Sequence, residues 1–168
     1  MQEIFNRRSI RKYKNLPVEK EKIDKLLRAA MQAPSSLNQQ PWEFIVVHDK
    51  TALRKLSMAM PHSKPVEGSA VTIVLVANSN NFKFAADWQQ DMSAAAQNIL
   101  LEATHLRLGA VWLGISSVES AVDYVKDMYG LPDYIKPFAL IAIGYPEGQK
   151  NEFVDRYKSE KVHYEKWM

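Results

Sequence analysis

The chain has no cysteine among its 168 residues. That excludes disulfides, a thiolate nucleophile and any zinc or iron–sulfur centre ligated by cysteine. Glycine is sparse, with 6 residues, and none falls in a GxGxxG or Walker-type pattern. The usual glycine-rich phosphate loops are therefore missing, as are the GxSxG and HExxH motifs. The four histidines, His48, His62, His105 and His163, stand apart without ligand spacing, so no metal site is expected. No carboxylate pair is marked out by its surroundings. The longest apolar run, near Ala70 to Ala77, is far shorter than the ~20 residues of a membrane span. The N-terminal stretch MQEIFNRRSIRKY lacks the apolar core of a signal peptide, and a cytoplasmic location is the expectation. The net charge of +3 is mild and favours an anionic ligand only weakly.

What is present reads as one globular domain with alternating helices and strands. A short helix is expected from Gln2 to about Arg7. Pro17 opens the next helix, whose Ile23, Leu26, Leu27, Ala30 and Met31 form one apolar stripe; Pro34 stops it. WEFIVVH, from Trp42, reads as a strand with a fully buried stretch. A helix is expected from about Thr51 to Met58, then a Pro/Gly-rich loop over His62 to Gly68 that suits a lid. AVTIVLVA reads as a central strand covered on both faces. The longest helix is expected from Asp91 to Leu108, with Met92, Ala95, Ala96, Ile99, Leu100, Ala103 and Leu106 on its apolar side. AVWLGI is a further strand, Val118 to Tyr129 a further helix, and FALIAIGY a last buried strand. Residues 150–168 carry Phe153, Val154, Tyr157, Val162, Tyr164 and Trp167. A solvated tail would not hold so many large apolar groups; it should lie on its own domain or on a neighbouring subunit.

Two polar features remain. RRSIRKYK gathers Arg7, Arg8, Arg11, Lys12 and Lys14 within eight residues. A plain basic surface, a phosphate site and a nucleic-acid contact are all open to it; arginine forks and Ser9 suit phosphate. APSSLNQQPW, Ala33 to Trp42, carries five hydrogen-bonding side chains and no charge. Local turn chemistry accounts for such residues. A neutral set of amides and hydroxyls also matches a heteroaromatic rim of alternating donors and acceptors. With no nucleophile, acid–base pair or metal in view, an enzyme of this sequence would rely on a bound organic cofactor.

These segments, together with AAAQNILLEATHLRLGAVWL at Ala94 to Leu113 and IAIGYPEG at Ile141 to Gly148, resemble the nitroreductase family of flavin mononucleotide (FMN) enzymes. The likeness runs over nearly the whole chain. It implies an α+β fold, a central mixed β-sheet flanked by helices, in a homodimer whose C-terminal extension, residues 150–168, is exchanged onto the partner. It also implies that Arg7, Arg8, Ser9 and Arg11 hold the phosphate, ribityl chain and ring edge, with Arg156 at the phosphate. Pro34, Ser35, Ser36 and Asn38 would lie along the ring, from the other subunit in many members. Trp112, Leu113 and Gly114 would turn backbone toward the reactive ring edge, with Gln97 a further contact. Many larger members have a glutamate where Gly114 stands. The implied chemistry is ping-pong transfer from NADH or NADPH to nitroaromatic or quinone acceptors, without a catalytic side chain. A flavin-binding module without nicotinamide turnover is the alternative, and a basic nucleic-acid-binding protein a more distant one.

Overall fold

The computed structural model describes residues 2–167. Its helices are α1 (Gln2–Asn6), α2 (Lys20–Met31), α3 (Lys50–Leu56), α4 (Trp88–His105) and α5 (Glu119–Tyr129). Its strands are β1 (Trp42–Val47), β2 (Val71–Asn78), β3 (Gly109–Gly114) and β4 (Ile135–Gly144). The strands form one sheet in the order β1-β2-β4-β3, antiparallel at every pairing. Parallel pairing appears at an isolated bridge between Ser9 and Ala110.

The two-residue repeat of a strand sends successive side chains to opposite faces, and β2 uses both. Ile73, Leu75 and Ala77 pack with α2 and α4, whereas Val74 and Val76 pack with α3 and α5. The expected α+β architecture, a sheet flanked by helices, is what forms. β2 and β4 are central and almost wholly buried. β1 differs from expectation. Only its ends, Trp42 and Val47, are buried; Phe44, Ile45 and Val46 are half-buried and Glu43 is exposed. Its apolar run reads like a central strand, but β1 lies at the sheet edge, where one flank is uncovered.

Helix limits also shift. α2 begins at Lys20, with Glu19 as its extended N-cap, not at Pro17. α4 starts three residues early, at Trp88, and ends at His105. The stop is Arg107, which adopts a left-handed backbone (φ 60°) while Leu108 N donates to Ala103 O at 2.8 Å. That is a helix-ending 6→1 closure, usually given to glycine. The segment expected as a mobile lid forms a tight turn over Pro61–Val66, with Ser63 and Val66 fully buried. Among the described residues no helix is long and apolar enough to cross a membrane.

The basic segment between α1 and α2 is seated by two glycines. Gly109 and Gly144 face one another across β3 and β4. A Cβ on Gly109 would lie 2.5 Å from Ile10 Cγ2, and one on Gly144 would lie 3.0 Å from Tyr13 Cβ. Ile10 and Tyr13 thus rest on a bare floor and are buried, at 1% and 7% exposure. The Tyr13 hydroxyl sits 2.6 Å from Ile10 O and 3.0 Å from Ala142 O, and burial pushes it above the usual tyrosine range. Gly109→Ala should overpack this floor and cost about 1–3 kcal/mol, read as a lowered denaturant midpoint with unchanged m-value.

Candidate functional site

Ile10 and Tyr13 point down onto the sheet; of the other residues of RRSIRKY, Arg7, Arg8 and Ser9 are half-buried and Arg11 and Lys12 exposed. Arg7 and Arg8 line a cleft of about 350 Å³ whose other wall is Phe153 to Tyr157, including Arg156. Partial burial, then the nearby Arg8 and Arg156 charges, lower the Arg7 guanidinium from its usual value. Among the described residues no carboxylate lies within ion-pair distance of Arg7, Arg8 or Arg156. Three cations thus line one cleft without an ion pair, beside a single carboxylate, Asp155, an arrangement whose net positive field favours an anion. Ser9 is fixed beside β3 by its bridge to Ala110. Arg11 donates through Nη1 to Ser9 O at 3.3 Å, and Gln149 Oε1 accepts from the Arg11 and Lys12 backbone.

The neutral loop is built differently. Leu37, Asn38 and Gln40 all have positive φ, at 50°, 51° and 45°, a conformation that strains leucine and glutamine. A buried pair offsets this strain. Asp91, on the first turn of α4, accepts from Ser36 N at 2.9 Å and from Gln39 Nε2 at 2.5 Å. Gln39 Oε1 accepts in turn from Lys83 N and Phe84 N, at 2.9 and 3.0 Å. Asp91 and Gln39 are each only 4% exposed. Ser35 Oγ accepts from Gln40 N, and Asn38 Oδ1 from Gln40 Nε2. The Gln39 amide and the Asn38 carbonyl oxygen are thus engaged within the loop and its neighbours. Pro34, Ser35, Ser36 and Asn38 remain at the surface, half or fully open to solvent.

At the end of β3, Trp112 is half-buried and packs on Phe138, Leu113 is buried, and Gly114 is exposed. A Cβ on Gly114 would meet only Trp112 Nε1, at 3.8 Å, so space does not force glycine there. Gln97 stands on the exposed face of α4.

The predicted residues therefore fall into separate groups within one chain. Arg7, Arg8, Ser9, Arg11 and Arg156 cluster near the C-terminal end of α4, where Glu3 Oε1 meets His105 Nδ1 at 3.0 Å. Pro34 to Asn38 lie at its N-terminal end, held by Asp91. The axis between Asp91 and His105 is about 21 Å long at 1.5 Å per residue. Sequence reasoning missed Asp91 and the locking role of Gln39. One signal existed for Asp91: it shares the apolar stripe of Ala95 and Ile99, at i, i+4 and i+8, where an acid needs a partner.

Comparison with known proteins identifies the family and the fold. The Nitroreductase family model matches residues 4–86 and 58–145, and the chain belongs to that family. An Archaeoglobus fulgidus protein with the provisional name NADH dehydrogenase/NAD(P)H nitroreductase is 41% identical over 167 residues, covering 98% of this chain and 96% of that one. The crystal structure of a provisional NADH oxidase from Clostridium acetobutylicum superposes with a TM-score of 0.97 and 52% identity, covering 98% and 99% of the two chains. A provisional nitroreductase from Desulfovibrio desulfuricans, solved in complex with FMN, superposes with a TM-score of 0.84 and 31% identity, covering 99% and 96%.

Gln39→Leu should remove four side-chain hydrogen bonds and leave Asp91 Oδ2 and the Lys83 and Phe84 amides without these partners. Each buried unsatisfied group costs about 1–3 kcal/mol. The expected result is lower stability together with faster hydrogen exchange at Lys83 and Phe84, leaving exchange in β4 unchanged.

Proposed function

We propose that this protein is an FMN-dependent oxidoreductase that moves reducing equivalents from NADH or NADPH to small aromatic acceptors, nitroaromatics and quinones among them, as a homodimer. The observation that carries this reading is the unneutralised cluster of Arg7, Arg8 and Arg156. A phosphomonoester dianion is its chemical complement, and guanidinium forks suit phosphate oxygens better than lysine does. The donor set fits FMN beyond the phosphate as well. Ser9 and Arg11 follow the cluster along the edge of β3, toward Trp112, Leu113 and Gly114 on the same strand. The relative solved with FMN supports the assignment.

Bound FMN supplies two-electron hydride chemistry, taking reducing equivalents from the nicotinamide and passing them to a second substrate in a ping-pong cycle. The protein's residues hold and orient. Arg7 and Arg156 neutralise the phosphate, Ser9 and Arg11 offer donors to the polar ring edge, and cationic charge there stabilises negative charge arising on reduction. Backbone at Leu113 and Gly114 is fixed by pairing with Leu140 and Ala139 and would offer its N–H groups to the bound ring. The exposed Gly114 leaves that side open to substrate.

The homodimer follows from the separation between the two groups of residues. One mononucleotide does not reach across the length of α4 to touch both its own arginines and its own Pro34–Asn38 loop. An isologous two-fold contact repeats each surface on both partners. If two α4 helices pack antiparallel, the arginine end of one meets the loop end of the other, and the exposed Gln97 lies between them. The tail adds to the case. Tyr164 and Trp167 are 76% and 84% exposed on a single chain, an apolar stretch that a second copy would cover. In this reading residues 1–168 form a single domain whose C-terminal extension, 150–168, is the arm that packs on the partner.

Purified protein should be yellow, and its visible absorbance should bleach with NADH or NADPH under anaerobic conditions and return with a quinone. Bound flavin that is never bleached would reduce the assignment to a binding module; a colourless protein that FMN fails to reconstitute would end it. Arg7→Ala should weaken FMN binding about 10–100-fold, the loss of one charge-assisted interaction of about 1.5–3 kcal/mol, while riboflavin binding stays within a few fold. Light scattering should give a dimer mass, and deletion of residues 150–168 should reduce it or the flavin content.

A further inference from the structure

Arg8 was expected at the phosphate by likeness, yet its hydrogen bonds lead elsewhere. Its Nε donates to Glu152 O at 2.8 Å, and its Nη2 donates to Phe5 O. Its backbone N donates to Asn151 Oδ1 at 3.0 Å, and Asn151 Nδ2 donates to Leu108 O at 3.0 Å. The Phe5 and Phe153 rings lie 6.3 Å apart on the same joint. The Arg8 side chain therefore ties the end of α1 to the start of the arm, and the Asn151 side chain ties the same joint to Leu108 in the turn after α4. Beyond this knot the arm makes only local contacts among the described residues: a turn in which Asp155 Oδ1 accepts from Tyr157 N at 3.0 Å, and a short 3-10 turn at Ser159–Lys161. Arg156 stands in the first of these turns, four residues past the knot, and the structure gives its guanidinium no hydrogen bond or ion pair of its own among the described residues. What places Arg156 near Arg7 is the anchor upstream of it.

We propose that Arg8 is a positioning residue whose guanidinium clamps the arm through the carbonyls of Phe5 and Glu152, so that Arg156 is presented beside Arg7, rather than being itself a main phosphate ligand. The inference rests on the FMN reading for its consequence, but not for the clamp. A guanidinium has five N–H donors in a rigid fork, and two of its nitrogens are committed to two carbonyls that diverge in sequence by more than a hundred residues. Because the arm is also the segment expected to cross to the partner, Arg8 links arm placement to cofactor retention. Loss of either then weakens the other.

Lysine separates the two roles. Arg8→Lys keeps the charge that a phosphate would feel, but a single ammonium cannot reproduce the planar fork between two carbonyls. The experiment compares wild type, Arg8→Lys, Arg8→Ala, Arg156→Ala and the Arg8→Ala/Arg156→Ala double variant, all full length. It reads FMN and riboflavin affinity, and hydrogen exchange over residues 150–158. The expected result has Arg8→Lys losing FMN affinity about tenfold or more, close to Arg8→Ala, a change of about 1.4 kcal/mol per factor of ten. Riboflavin affinity stays level and exchange in the arm rises. Arg8→Ala on top of Arg156→Ala adds little, because the residue it positions is already gone. Wild-type FMN affinity in Arg8→Lys, or fully additive losses in the double variant, would overturn the positioning role. Unchanged arm exchange in Arg8→Lys would overturn the clamp. Failure of wild type to bind FMN would instead overturn the cofactor reading, with the exchange result still deciding the clamp.

Discussion

The proposed function depends on holding three guanidinium groups around one cleft with no ion pair among the described residues. Burial first, and then the Arg8 and Arg156 charges, lower the Arg7 guanidinium from its usual value. The rest of the structure supplies the constraint. Ile10 and Tyr13 are pressed onto the paired glycines of β3 and β4, which fixes the backbone that follows Arg7 and Arg8 and leaves Arg11 and Lys12 exposed between them. Asn151 and Gln149 bind the segment from the far end of the sequence. Apolar burial worth about 1.5–3 kcal/mol per large side chain is enough to keep like charges in place. An anion then relieves the repulsion, and binding draws on strain that folding has already set.

The second constraint is the Asp91–Gln39 pair. A carboxylate at a helix N-terminus is favoured by the dipole, but here it also locks a loop with three positive-φ residues. The loop is neutral, stiff and presented at the opposite end of α4 from the arginines. A rigid neutral rim suits recognition of a flat heteroaromatic ring, since little ordering is left to do on binding. In the proposed dimer the two ends of one helix would carry the two halves of one site, joined by two-fold symmetry.

Much of this was legible in the sequence, for physical reasons that differ by element. α2, α4 and β2 announce themselves through apolar periodicity, which burial enforces. The edge position of β1 was not legible, because Phe44 to Val46 read the same whether one flank or two are covered. The end of α4 was misplaced because Arg107 takes a conformation that glycine normally signals. The arginine cluster could be suspected from RRSIRKY, yet its union with Arg156 came only through family likeness, since nothing local ties positions 149 residues apart. The Arg8 clamp and the Gln39 lock were invisible: both depend on which carbonyl or amide a side chain meets after folding. The arm's exposed aromatics were legible as a surface in need of a cover.

The central claim is a site for FMN completed by two chains, and a mixed dimer tests it most directly. One protomer carries Arg7→Ala, the other a loop-blocking Ser36→Trp, and neither homodimer should retain flavin. If each site joins the arginines of one chain to the loop of its partner, the mixed dimer holds one doubly damaged site and one intact site. The account predicts one FMN per mixed dimer. A mixed dimer without flavin would place both halves of the site in the same chain and contradict it.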